Sequence, residues 1–173
     1  MTIEYICSCA AQLRKKFGTS SPEALCHETD VTVLREPMGS DSTSCKGFFL
    51  YQSRRKIIVI NSDLEETVST FILAHELGHS VLHTETAKMR AFHDFFPYDD
   101  SSRYEYEANL FAAELLLTDE DVLSALGEDD FFTSAKKLRV PPELLDFKLR
   151  ILNCKGYDLK SPISANSLFL KDI

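Results

Sequence analysis

The stretch Leu64-Glu65-Glu66-Thr67-Val68-Ser69-Thr70-Phe71-Ile72-Leu73-Ala74-His75-Glu76-Leu77-Gly78-His79-Ser80-Val81-Leu82-His83 decides the reading of this chain. Val68, Phe71, Ile72, His75, His79 and Leu82 recur at spacings of three and four, which predicts a helix over residues 64–83. On a helix, residues four apart lie one above the other, so the imidazoles of His75 and His79 project to the same side, about one turn apart. That placement suits two neighbouring ligands of a tetrahedral zinc ion. Glu76 stands beside them and can reach a water activated by the metal, which makes it the candidate general base.

A metal held by two histidines needs a third protein ligand, and a second amphipathic run supplies candidates. Residues 102–117 carry Ala108, Phe111, Ala112, Leu115 and Leu116 on one side, ahead of which stands Tyr104-Glu105-Tyr106-Glu107-Ala108-Asn109. Glu105 shares a face with Asn109 and Ala112, and Asn109 can orient a histidine ligand through its other ring nitrogen. Glu107 points to a different side, toward Phe111 and Glu114. Glu105 is therefore favoured over Glu107, for a His₂Glu set with one open position, the arrangement of a catalytic zinc. His83 continues the series, but two helical turns put it about 12 Å along the axis from His75, too far to share a metal. It reads instead as a helix-end cation facing the dipole. His93 reads as a solvated loop histidine, His27 has no partner in the sequence, and Tyr104 and Tyr106 read as packing residues.

Outward from these two helices the chain reads as a mixed α and β domain. Residues 3–17 are helical in period, with basic residues ahead of Gly18, and Ser21-Pro22-Glu23 opens a short helix to about Glu28. Val31 to Leu34 is β-prone. Gly47 to Tyr51 and Lys56 to Ile60 form a hairpin about a polar turn, and Asn61-Ser62-Asp63 offers caps for the next helix. Residues 84–101 lack a period and hold Phe92, Phe95, Phe96, Pro97 and Tyr98. A connection of that length reads as a functional loop that gates or lines a cleft. After Thr118 a short acidic helix begins, and residues 132–153 suggest two helices broken at Pro141-Pro142.

Composition bounds the function. The chain has 173 residues, 44% of them hydrophobic, and a formal charge of −8. A length of this order suits one domain, residues 1–173, that needs no disulfide staples. The acidic balance argues against direct nucleic-acid binding and for a basic protein partner. Five cysteines, with no CxxC pair, read as reduced thiols. No targeting segment and no membrane span is visible, so a cytoplasmic protein is expected.

His75-Glu76-Leu77-Gly78-His79 together with Glu105 to Leu117 (EYEANLFAAELLL) resembles the ImmA/IrrE family of metallopeptidases, over roughly residues 20–150. The resemblance implies zinc ligands at His75, His79 and Glu105 and a catalytic glutamate at Glu76. It also implies an α+β fold in which a small antiparallel sheet packs on a zincin-like helical core of about residues 20–130. A helix-turn-helix-like portion is expected over about 131–153, and residues 154–173 match nothing in the family pattern. Thr118 stands where the family often has proline, which bears on helix termination and not on the metal. The implied activity is cleavage of a helix-turn-helix repressor of a mobile element or stress response. The alternative is a zinc-containing module that controls a repressor by sequestration. A DNA-binding role for residues 135–152 is disfavoured by the net charge.

Overall fold

The computed structural model describes residues 1–41, 44–90 and 101–168. In chain order the elements are α1 (Ile3–Phe17), α2 (Pro22–Glu28), β1 (Val31–Glu36), β2 (Gly47–Gln52), β3 (Arg55–Asn61), α3 (Glu66–Leu82), α4 (Thr84–Arg90), α5 (Ser101–Leu116), α6 (Asp119–Glu128), α7 (Phe131–Leu138) and α8 (Pro142–Cys154). The expected α+β architecture is present, with a small sheet beside a larger helical layer. Local chemistry sets most boundaries. Thr2, Ser21, Thr118 and Asp130 cap α1, α2, α6 and α7 through side-chain oxygens that accept first-turn N–H groups. Gly18 closes α1 in the left-handed conformation, at φ 68°.

The sheet has the order β1-β3-β2. The hairpin pairs antiparallel, Gly47 with Ile60 through Gln52 with Arg55. β1 pairs parallel with β3, Val31 with Lys56 through Glu36 with Asn61, so the sheet is mixed where an all-antiparallel one was expected. The reason lies in β3. Its run Ile58-Val59-Ile60 is buried, and a strand buried in this way takes the centre of a sheet. The connection from β1 therefore passes over the end of the sheet to β2, and β3 fills the gap between them.

Asn61 does not cap α3, which starts with no side-chain cap bond. Asn61 is fully buried and instead organises the β1–β2 connection. Its Oδ1 accepts from the N–H groups of Met38 and Asp63, at 3.1 and 3.0 Å, and its Nδ2 donates to the carbonyls of Gly39 and Cys45. Residues 84–90 are helical as α4, within the stretch 84–101 that lacks a period in the sequence. Two helical turns are too short to show a period. Phe92, His93, Phe95, Phe96, Pro97 and Tyr98 lie outside the described residues.

α5 is the central helix and packs against α3, α1 and α8. Its approach to α3 is close because Gly78 lacks a side chain: a Cβ there would stand 3.1 Å from Phe111 Cδ1 and 3.3 Å from the Ala108 backbone. Ile6, Ile58, Leu77, Phe111, Leu115, Phe147 and Ile151 are fully buried and join the layers into one core. A charged cluster lies within this packing. The buried Lys148 ammonium sits 2.5 Å from Glu114 and 2.6 Å from Asp119, and Lys155 and Arg14 also face Glu114. α8 is thus a core helix, with residues 144–149, 151 and 152 buried, and has no free face for a nucleic-acid groove. All five cysteines are unpaired, with Cys26 buried and Cys45 exposed. Among the described residues no helix is long and apolar enough to cross a membrane.

Candidate metal centre

α3 and α5 bring His75, His79 and Glu105 together. One ligand atom from each lies within 4.8 Å of the others. The two Nε2 atoms are 3.0 Å apart, and Glu105 oxygens stand 3.2 Å from His75 Nε2 and 3.5 Å from His79 Nε2. Donors at zinc–ligand distances of about 2.0–2.1 Å from a common centre define a tetrahedron with edges of roughly 3.3 Å. The observed spacings match that size.

The hydrogen-bond partners on the far sides of the rings identify what the inner atoms carry. His75 Nδ1 lies 2.8 Å from Asn109 Oδ1, and Asn109 Nδ2 donates to the Ser167 carbonyl at 2.6 Å. A carbonyl only accepts, so the amide nitrogen faces Ser167 and the amide oxygen faces His75. His75 therefore carries its proton on Nδ1. His79 Nδ1 meets His83 Nδ1 at 3.0 Å, and His83 Nε2 meets a Glu107 oxygen at 3.0 Å. The carboxylate accepts from His83 Nε2–H, which leaves His83 Nδ1 as the acceptor for His79 Nδ1–H. Both Nε2 lone pairs thus converge on the Glu105 carboxylate. Three electron-pair donors facing one another across 3.0–3.5 Å call for a cation between them, and the donor set of two imidazoles and one carboxylate fits zinc.

Electrostatics follows this geometry. Burial pushes His83 down to about 4, against the Glu107 hydrogen bond. His83 is therefore a neutral, buried relay and not the helix-end cation read from the sequence. Glu107 holds its charge below the usual carboxylate range despite some desolvation, through bonds to the Met1 ammonium, His83 and Arg103. Tyr104 stacks edge-on against His83, with ring centroids 4.9 Å apart. Tyr106 packs on Phe147.

Glu76 is buried beside the cluster. Burial raises its carboxyl to about 7, with His79 opposing, Glu105 adding to the rise, and the Phe49 backbone N–H of β2 lowering it. A carboxyl titrating near neutrality can both take up and return a proton. His27 is exposed on α2, beside Glu28, and takes no part in the cluster.

Sequence reasoning had no signal for Ser167 or Phe49, which act through backbone atoms. For His83 the signal was present: spacing of four from His79 makes them neighbours, whatever the distance from His75.

A buried His75, a half-buried His79, a carboxylate on a facing helix and a buried glutamate beside them define a metallohydrolase-type site. The comparisons agree. The family profile of the IrrE N-terminal-like domain, Peptidase_M78, matches residues 26–150, and the chain belongs to that family of metallopeptidases. An uncharacterized immunity region protein of Bacillus phage phi105 is 40% identical over 112 residues, which cover 62% of this chain and 65% of the phage protein. The metallopeptidase ImmA of Bacillus subtilis (strain 168) is 29% identical over 140 residues, or 78% of each chain.

Proposed function

We propose that the chain is a zinc-dependent endopeptidase acting on a regulatory protein, with His75, His79 and Glu105 as metal ligands and Glu76 as the catalytic base. The observation that carries this reading is the convergence of both Nε2 lone pairs and the Glu105 carboxylate beside the buried Glu76. A zinc ion held there supplies a Lewis acid for a peptide carbonyl and lowers the pKa of a water to about 7. Glu76 takes the proton of the attacking water and returns it to the leaving amine. The Phe49 backbone N–H of β2 favours the charged, proton-accepting form of Glu76. Asn109 and His83 hold the two imidazoles with Nδ1 protonated, which keeps each Nε2 free.

The substrate we propose is a helix-turn-helix repressor, in a cytoplasmic setting. Two features support it: one similar protein is named for a phage immunity region and another is ImmA, and a net charge of −8 suits a basic DNA-binding partner. In this reading residues 1–173 act as one domain, with α7 and α8 as its helical C-terminal portion.

Elemental analysis of the wild type beside Glu105→Ala and Glu107→Ala, with repressor cleavage by Glu76→Gln, tests the assignment. About one zinc in the wild type, lost in Glu105→Ala, and a Glu76→Gln protein that keeps zinc but does not cleave are expected. A Glu76→Gln protein that still inactivates its repressor without hydrolysis favours sequestration instead.

A further inference from the structure

Residues 157–167 run back along α8 and end against the metal centre. Asn153, in the last turn of α8, brackets Leu159 by donating to its carbonyl at 2.9 Å and accepting from its N–H at 2.8 Å. Further back along the helix, the Ala165 N–H donates to Asp146 at 3.0 Å, and Arg150 donates to the Ala165 carbonyl at 2.8 Å. Arg150 also pairs with Asp146 at 2.6 Å and lies over the Phe147 ring. Leu159, Ile163 and Ala165 pack against the core. Beyond these anchors the Ser167 carbonyl receives the Asn109 amide at 2.6 Å, and Asn109 is fully buried.

We propose that this segment is a strap that sets the metal centre, with the Ser167 carbonyl as a positioning group for His75. The inference rests on the reading of His75 as a metal ligand. Its logic is one of donors and acceptors. A side-chain amide can turn over and exchange its oxygen for its nitrogen. Turned over, Asn109 would present an N–H to His75, the ring would place its lone pair on Nδ1, and Nε2 would carry the proton. A protonated Nε2 cannot bind a metal. The Ser167 carbonyl blocks that state because it can only accept, so the amide oxygen stays on His75. The strap reaches Asn109 through main-chain atoms, which is why no motif in residues 157–167 announces the role.

The test measures zinc affinity by competition with a chromogenic chelator, for the full chain and for a chain ending at Gly156, each with and without Asn109→Ala. The visible spectrum of the Co²⁺-loaded forms reports ligand geometry independently of activity. Removal of the strap is expected to weaken zinc binding by roughly 10-fold or more, within the range for groups that orient a metal ligand, and to change the Co²⁺ spectrum. In the Asn109→Ala background the same removal is expected to add less than about twofold, because the strap acts through that amide. An equal loss in both backgrounds, or unchanged affinity in the shortened chain, overturns the strap. If the shortened chain does not fold, Arg150→Ala in the full chain loosens the Ala165 anchor without touching the cluster. It is expected to weaken zinc several-fold, again only when Asn109 is present; an Asn109-independent effect or none overturns the inference. A full chain that takes up no zinc removes the metal-centre reading itself, whereas one that binds zinc and ignores the strap removes only this inference.

Discussion

His79 and His83 face each other through their Nδ1 atoms at 3.0 Å, and the bond from His83 Nε2 to Glu107 decides which of them carries the proton. A histidine excluded as a ligand by distance thus fixes the tautomer of His79, a proposed metal ligand. His83→Phe keeps the bulk but leaves the His79 N–H and the Glu107 carboxylate without their partner. Zinc affinity is expected to fall by roughly 10- to 100-fold. His83→Gln, whose amide can accept from His79 and donate to Glu107, is expected to stay within several-fold of wild type. Chelator competition reads both, and equal affinity for wild type and His83→Phe would contradict the relay.

The contact of α3 with α5 at Gly78 predicts opposite effects for two glycine replacements. Gly78→Ala gains about 1 kcal/mol of helix propensity, but its Cβ meets backbone and ring atoms at 3.1–3.3 Å that cannot rotate away. Overpacking costs of about 1–3 kcal/mol are expected to win. Because the two helices carry different members of the proposed ligand set, zinc affinity should fall as well. Gly127, on α6, has open space where a Cβ would stand, so Gly127→Ala is expected to stabilise by up to about 1 kcal/mol. Urea denaturation distinguishes them, and a stabilised Gly78→Ala would show that the helices can separate freely.

Asp119 predicts an acid-sensitive lock on α8. Desolvation opposes its charge, but hydrogen bonds from Lys148 and Lys155 win and lower its pKa. A carboxyl with a folded pKa below its unfolded value adds stability that is fully present above the unfolded value, near 4. That stability is lost as pH falls through the folded value. Asp119→Asn is therefore expected to be less stable than wild type at pH 7, with the difference closing as the solution is acidified below about pH 4. Thermal midpoints across that range check the sign, and a gap that widens in acid would refute it.

The β2–β3 turn predicts a stabilising change remote from the site. Ser53 and Arg54 both hold positive φ, 51° and 64°, in a two-residue turn that glycine and asparagine adopt more easily. Replacing them with Asn and Gly relieves left-handed strain, offset in part by the flexibility of glycine in the unfolded chain, and is expected to raise stability by up to about 1 kcal/mol and leave zinc affinity unchanged. Thermal denaturation with parallel metal titration checks both parts.

Much of the architecture was legible because it is local. The period of residues 64–83 and 102–117, the capping residue Ser21, the acidic stretch after Thr118 and the double proline that opens α8 act within a turn or two of chain. The same holds for the hairpin. Strand partnership was less legible: whether β1 pairs with β2 or β3 depends on which strand is most buried, and burial is a property of the assembled core. Asn61 shows the same limit, since a residue suited to capping was drawn into three bonds with the β1–β2 loop. Glu105 and Glu107 differ by only two positions, yet one faces His75 and His79 and the other faces His83.

By itself the sequence determined that two imidazoles and a glutamate share one helix, because helical spacing places side chains without reference to the rest of the chain. It also determined that a second helix carries carboxylates and an amide within reach. The tertiary structure alone decided the protonation of each imidazole, through Asn109, Ser167, His83 and Glu107. It likewise decided the raised pKa of Glu76, through burial against β2. Hydrogen-bond direction and desolvation depend on which groups meet across long sequence separations, and only the packed chain brings those groups together.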